Sequence, residues 1–402
     1  MQQIQTEKFS DVSVLVRSLL PLERRTITAY NLLVFMLKSK TADFDSKQKL
    51  SIALNHAYGM KVSYGLTGYG RQVALDIRFQ YIRPERVKDP DYIHEVVHMM
   101  DQILHHALFD QKSFEEAKYL LASRLRRQND DPDSLALKMA FALAAEDHDI
   151  AIPIQGALED IEALSYEEVV ALYESWRALP RFVSCCGTLE PVMEAFLNAI
   201  PQFEKPSLRM ALIPRTSPSF QVLEKNIAQT SIVQVWATST PIDSSRYYPL
   251  LVLNSILGQG PMSLLFEEVR EKTSLSYSIS SSLVRFDGAL LISTGTSADS
   301  IARCLRLIQA QIQKCADGQF SDEQLEIAKM DLIDMFRRQQ DRPWAMIEQL
   351  FLDSMLERSE SLAQRVETIR TIERDQVCEV ASRLALVSMA IVKEDFDETM
   401  EN

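Results

Sequence analysis

Two places in this chain carry residue types at spacings that catalysis uses. The first is His94-Glu95-Val96-Val97-His98. On a helix, histidines four residues apart share a face and can hold zinc, with the glutamate between them as general base. Such a site needs a third protein ligand. Its usual place falls on Ala117, and Glu115 and Glu116 lie out of register with it. The longer H-x-x-G-x-x-H extension is missing too, because Asp101 and Leu104 stand where it would continue. The stretch also explains itself as an amphipathic helix. Ile93, Val96, Val97, Met100, Leu104 and Ala107 make an apolar stripe, with His94, His98, Asp101 and His105 as the polar stripe beside it. We read His94, Glu95 and His98 as a solvated face; the competing reading is an autonomous zinc peptidase.

The second place is GQGPMSLLFEEVREKTSLSYSIS, residues 258–280. Arg270 closes a helical pattern and Tyr277 opens a strand. A guanidinium and a phenol at a helix–strand corner can hold a carbonyl and stabilise the oxyanion formed when water attacks it. On spacing alone, Arg270 paired with Glu267 or Glu271, and a half-buried strand tyrosine, account for the same residues.

The elements that must position these residues occur twice. FEEAKYLLASRLRRQNDDP (114–132) is echoed by EQLEIAKMDLIDMFRRQQDRP (323–343), both amphipathic helices ending in Arg-Arg-Gln, an acidic residue and proline. YEEVVALYESWRALPRFVSCCG (166–187) is echoed by RDQVCEVASRLALVSMAIVKE (374–394). A repeat so long is a duplicated domain, not a solenoid unit. Each copy reads as strands flanking several helices. The first has a strand at 13–21, helices at 26–40 and 45–59, a hairpin turning at Tyr69-Gly70, helices at 91–108, 113–129, 132–145 and 165–178, a strand at 181–187 and a helix at 191–200. The second has strands at 219–225 and 229–239, helices at 247–258 and 262–272, a hairpin over 274–297, helices at 299–316, 321–340, 343–356, 360–369 and 374–385, and a strand at 387–393. Antiparallel hairpins without a βαβ rhythm predict an α+β fold of two homologous domains, each a sheet packed with several helices. The domains are expected at 1–203 and 208–402, joined by the proline-flanked segment 201–207.

Bulk properties narrow the function. A net charge of −13 without a basic block argues against nucleic acid. No apolar run is long enough for a membrane span, and MQQIQTEKFSD lacks the apolar core of a signal peptide, so a cytoplasmic protein is expected. Five cysteines, Cys185, Cys186, Cys304, Cys315 and Cys378, show no metal spacing and read as buried, reduced thiols.

The stretch LGQGPMSLLFEEVREKTSLSYSIS (257–280), together with the duplication, resembles the pitrilysin/insulinase-type zinc peptidases, which include the mitochondrial processing peptidases. The resemblance implies that Arg270 and Tyr277 are the substrate-binding pair of the second domain. It also implies an inverted zinc motif, H-x-x-E-H, on the first helix of the first domain. That motif would fall on Asn31-Leu32-Leu33-Val34-Phe35. Asn31 replaces the first histidine, Val34 the general base and Phe35 the second histidine. The later helix expected to give the third ligand reads Leu-Leu-Ala-Ser-Arg-Leu-Arg over 120–126, without a carboxylate. Three-ligand zinc binding is therefore not expected here, and neither is a metal hydroxide. In two-chain members of the family one subunit brings zinc and the other the arginine–tyrosine pair. The resemblance thus implies a non-catalytic subunit that holds no cofactor, pairs with a zinc-bearing homologue or with itself, and binds a peptide. The other reading is a peptide-binding or scaffold protein with no part in hydrolysis.

Overall fold

The structure is a computed structural model and describes residues 1–203 and 209–395. Most of the expected linker, and residue 208, lie outside the described residues. The first half contains β1 (Gln2–Ile4), β2 (Asp11–Pro21), α1 (Arg24–Met36), α2 (Lys47–His56), β3 (Lys61–Tyr69), β4 (Gln72–Ile82), α3 (Tyr92–His105), α4 (Gln111–Asp130), α5 (Pro132–Ala144), α6 (Leu158–Ile161), α7 (Tyr166–Arg177), β5 (Phe182–Cys186) and α8 (Pro191–Ala199). The second contains β6 (Ser219–Lys225), β7 (Thr230–Ala237), α9 (Tyr247–Gly258), β8 (Ser276–Val284), β9 (Ala289–Thr296), α10 (Ile301–Ala316), α11 (Asp322–Gln339), α12 (Pro343–Met355), α13 (Leu362–Arg370), α14 (Arg374–Ser382) and β10 (Ala385–Glu394).

Two five-stranded mixed sheets result, ordered β1-β5-β2-β4-β3 and β6-β10-β7-β9-β8. The orders match position by position. Each sheet has one parallel edge pair, β1 with β5 and β6 with β10, and is otherwise antiparallel. The expected α+β duplication is therefore seen in the strand pairing itself. The parallel edge strand β1 was not expected: three residues are too few for a readable alternation.

The compact units do not follow the sequence halves. One comprises Met1–Arg126, Pro153–Arg209 and Gln339–Ser359; the other comprises Arg127–Ile152, Met210–Arg338 and Glu360–Asn402. The chain thus changes unit at the echoed Arg-Arg-Gln, near the end of α4 and again at the end of α11. Each unit takes one helix from the other half of the sequence. Proline opens both exchanged helices, where a missing N–H costs nothing. Asp131 caps α5 by accepting from the Ser134 N–H, whereas Arg342 gives α12 no side-chain cap.

In the second unit Ala136, Ala140 and Ala144 of α5 pack on Val233, Val235, Val387 and Ala390. The small side chains let the helix lie close to the sheet. Ser388 donates to the Ala140 carbonyl at 2.6 Å. In the first unit Ile347 of α12 packs on Leu15 and Cys186. That cover lies on the Phe182 and Cys186 face of β5, a strand whose five residues are all buried. Cys185 and Cys186 point to opposite faces of a sheet that is covered on both.

An ionic cluster also fixes α12. Arg17 of β2 is fully buried and grips Asp76 with Nε at 2.7 Å and Nη2 at 2.8 Å. Nη2 also reaches Glu348 of α12 at 2.9 Å, Tyr69 donates to the same carboxylate, and the guanidinium lies 4.3 Å from the centre of the Phe351 ring. A buried guanidinium needs such partners because its desolvation costs several kcal/mol. Among the described residues no helix is long and apolar enough to cross a membrane.

Candidate functional site

Helix α1 is buried along almost its whole length, from Ile27 to Val34 and again at Met36. Asn31 is buried, and both its amide nitrogen and its amide oxygen are hydrogen-bonded to neighbours. Nδ2 donates to the Ile27 carbonyl at 2.9 Å and to the Ile154 carbonyl at 2.7 Å. Oδ1 accepts from Nη2 of Arg124, on α4, at 2.6 Å. Arg124 also donates to the Gln155 carbonyl at 3.1 Å. The segment 153–157 is thereby strapped to α1. Thr28 adds to the strap, donating to Asp160 at 2.8 Å and accepting from the Ala157 N–H at 3.1 Å. Gly156 makes this approach feasible: its φ is +84°, and a Cβ there would meet Thr28 Oγ1 at 3.0 Å.

The two remaining motif positions are as unsuited to a metal. Val34 is buried hydrocarbon. The Phe35 ring has the Arg124 guanidinium 5.3 Å from its centre, and Lys38 Nζ also at 5.3 Å. Lys38 Nζ lies 5.8 Å from the Tyr64 ring as well. Burial, and then the charge of Arg124, lower the Lys38 pKa; burial lowers that of Arg124 and raises that of the Tyr64 phenol. An amide whose oxygen already accepts from a guanidinium, two hydrocarbon side chains and two cations do not fit a zinc dication. Arg124 stands in the 120–126 stretch. The sequence marks that stretch only as lacking a carboxylate, and gives no sign that the arginine reaches Asn31.

The His94-Glu95-His98 stretch lies on α3, with His94, Glu95 and His98 exposed. His98 Nε2 is 3.0 Å from Asp43, while His105 and His106 share Asp101 at 2.9 and 3.1 Å. Among the described residues, no group of three histidine, cysteine or acidic side chains could hold a metal. Helix α3 stops at His105, short of the expected 108, and Ala107 instead bridges to Thr41.

Arg270 and Tyr277 lie on two backbone irregularities of the second unit. The segment expected as one α-helix over 262–272 turns π-helical at Phe266–Glu271, with the Lys272 N–H bonded to the Glu267 carbonyl at 2.9 Å. Ser274, at φ +50°, then closes the corner through its N–H to the Arg270 carbonyl at 2.9 Å. The Arg270 side chain is 44 % exposed. It stacks over Phe266 at 4.6 Å and meets Glu271 only at 3.8 Å, too long for a hydrogen bond. In β8, Ser276 pairs with Thr296 and Ser278 with Gly295, so Tyr277 is the extra residue of a β-bulge. Ser276 Oγ spans the bulge to the Ser278 carbonyl at 2.6 Å. Tyr277 is 77 % exposed, so it is not a half-buried strand tyrosine. The glycine-flanked loop before it has a packing cause: a Cβ at Gly258 would fall 2.7 Å from the Ser281 backbone nitrogen.

Comparison with known proteins bears on this geometry. Residues 163–332 match the family model described as the peptidase M16 inactive domain. The chain is 20 % identical over 404 residues to a Bacillus subtilis protein named "Probable inactive metalloprotease YmfF", covering 97 % of this chain and 94 % of that one. It is 22 % identical over 231 residues to "Uncharacterized zinc protease YmxG" of the same organism, covering 56 % of each chain, about half the length of that relative. Among solved structures, a conserved protein from Enterococcus faecalis V583 superposes with a TM-score of 0.90 at 23 % identity, over 98 % of this chain and 96 % of that one. A peptidase M16 inactive domain from Pseudomonas fluorescens superposes with a TM-score of 0.78 at 14 % identity, over 98 % and 95 %. These structural likenesses show the fold.

Proposed function

The chain belongs to the pitrilysin/insulinase-type (M16) peptidase family as a member without the zinc motif, and from that premise we propose that it is the non-catalytic subunit of a two-chain zinc peptidase. In this reading a homologous, zinc-bearing chain pairs with it in the cytoplasm and supplies the metal and the general base. Arg270 and Tyr277 supply the other half of the chemistry. The guanidinium grips the peptide carbonyl next to the scissile bond, and the phenol donates to the oxygen on which charge develops. Neither group then needs to move a proton to a metal in this chain.

One observation carries the reading. The zinc-motif positions are filled by a committed amide, a buried valine and a phenylalanine flanked by cations, while Arg270 and Tyr277 stay accessible on a π-turn and a bulge. Both irregularities interrupt regular hydrogen bonding, and such interruptions gather at functional sites.

The test is reconstitution. The tagged chain is co-expressed with a zinc-bearing homologue from the same genome, and the complex is assayed on a quenched fluorescent peptide library. Hydrolysis should need both chains, and Arg270→Ala should lower kcat/KM by about 10²–10³. Complex formation with full activity in Arg270→Ala and Tyr277→Phe would leave the chain a scaffold.

A further inference from the structure

Lys38 and Arg124 put two positive charges beside the same phenylalanine, and among the described residues no acidic side chain forms an ion pair with either. Each lies 5.3 Å from the centre of the Phe35 ring, and Lys38 Nζ lies 5.8 Å from that of Tyr64. Among the described residues no carboxylate offsets either charge: burial and then Arg124 lower the Lys38 pKa, and burial lowers that of Arg124. The charge of Arg124 disfavours the charged form of Lys38, and in a partly desolvated setting such repulsion is stronger than in water.

The hydrogen bonding of Arg124 shows where a ligand would enter. Nη2 is held by Asn31 and the Gln155 carbonyl, and Nε is buried without a partner. Nη1 makes no hydrogen bond among the described residues and is not one of their buried unpaired atoms. The guanidinium is thus fixed with one face committed and one donor open, so binding would cost little ordering of that side chain. Lys38, an exposed residue, brings its ammonium to the same ring.

We propose that Lys38 and Arg124, walled by Phe35 and Tyr64, form a carboxylate-binding site, occupied by the terminal or side-chain carboxylate of a peptide. The Lys38 ammonium and the Arg124 Nη1 are charged donors on separate side chains, and each can give a charge-assisted hydrogen bond to one carboxylate oxygen. The aromatic walls suit a carboxylate on a carbon stem. The site does not depend on Arg270, Tyr277 or a zinc-bearing partner, and is measured on this chain alone.

The test uses the full chain with its lysines reductively methylated with 13C, the Lys38 signal being assigned by Lys38→Gln. N-acetylglycine offers a terminal carboxylate, N-acetylglutamate α-amide a side-chain carboxylate, and N-acetylglycinamide none; inorganic phosphate is the fourth probe. The Lys38 signal should move saturably with one or both acids and stay still with the amide. The tighter acid identifies the source. Arg124→Gln should weaken the response about tenfold. Should that variant fail to fold, calorimetry with the same acids on Lys38→Gln, whose side chain is exposed, should show the same loss. Equal responses to acid and amide, equal shifts at the exposed Lys61, tighter binding of phosphate, or unchanged binding in the variants would each overturn the site.

Discussion

Arg124 donates to Asn31 at 2.6 Å, joining α4 to α1 at the position where the family motif would begin. The bond completes the amide of Asn31 and ties the 153–157 segment down through two carbonyls. Asn31→Ala should therefore act on stability. It removes one acceptor and two donors from a buried setting, for an expected loss of about 2–3 kcal/mol. Urea denaturation measures this, and a loss under about 0.5 kcal/mol would mean that water replaces the amide.

Asp76 is the main partner of the buried Arg17. Asp76→Ala strands that charge and should cost about 3–5 kcal/mol, whereas Arg17→Met combined with Asp76→Leu should recover most of it. Glu348→Gln, at a partly exposed position on α12, should cost only about 1 kcal/mol. Equilibrium unfolding of the four proteins gives the ordering. Equal stability of the single and double variants would deny the cluster its part in seating the exchanged helix.

Most of the fold is legible in the sequence because it rests on long periodic segments. Helices such as α5 and α9 and the hairpin β3–β4 lie where alternation and helical spacing put them. The exchange of α5 and α12 is not legible. The Arg-Arg-Gln echo marks both crossings, but periodicity reports which face of a helix is apolar and not which sheet covers it. The same limit hides the site at Phe35. Arg124 and Lys38 are ordinary surface residues in one dimension, and only the packing of α4 on α1 brings them to one ring. For Tyr277 the sequence suggests a strand residue; the bulge that exposes it depends on the Ser276 hydroxyl bonded across it.

Asp287 gives a pH signature. Burial, reinforced by Asp149, raises its pKa to about 7. The folded carboxyl thus holds its proton more tightly than the unfolded one, whose value is about 3.9. Protonation favours the folded state, so stability falls as pH rises from about 4 to about 7 and stays low above that. Asp287→Asn should stabilise the protein at pH 8, by up to about 4 kcal/mol, and change little at pH 4. Thermal melts across that range decide it; an equal shift at both ends would show that the carboxyl does not titrate in the fold.

The thiols should be inert. Burial pushes Cys185 and Cys315 up to about 12 and Cys186 to about 11. Among the five, only Cys378 is partly exposed. An aromatic disulfide reagent should label Cys378 first and the other four only on unfolding. Rapid labelling of Cys186 would mean that β5 is less covered than its packing against α12 requires.

The most direct measurement is peptide hydrolysis and zinc content for the chain alone, for a zinc-bearing homologue alone and for the two mixed. The account predicts no zinc and no hydrolysis from this chain, activity in the mixture well above that of the homologue, and a loss of about 10²–10³ when Arg270→Ala replaces the native chain. Chelator-sensitive proteolysis by the isolated chain, or a mixture indifferent to Arg270, would contradict it.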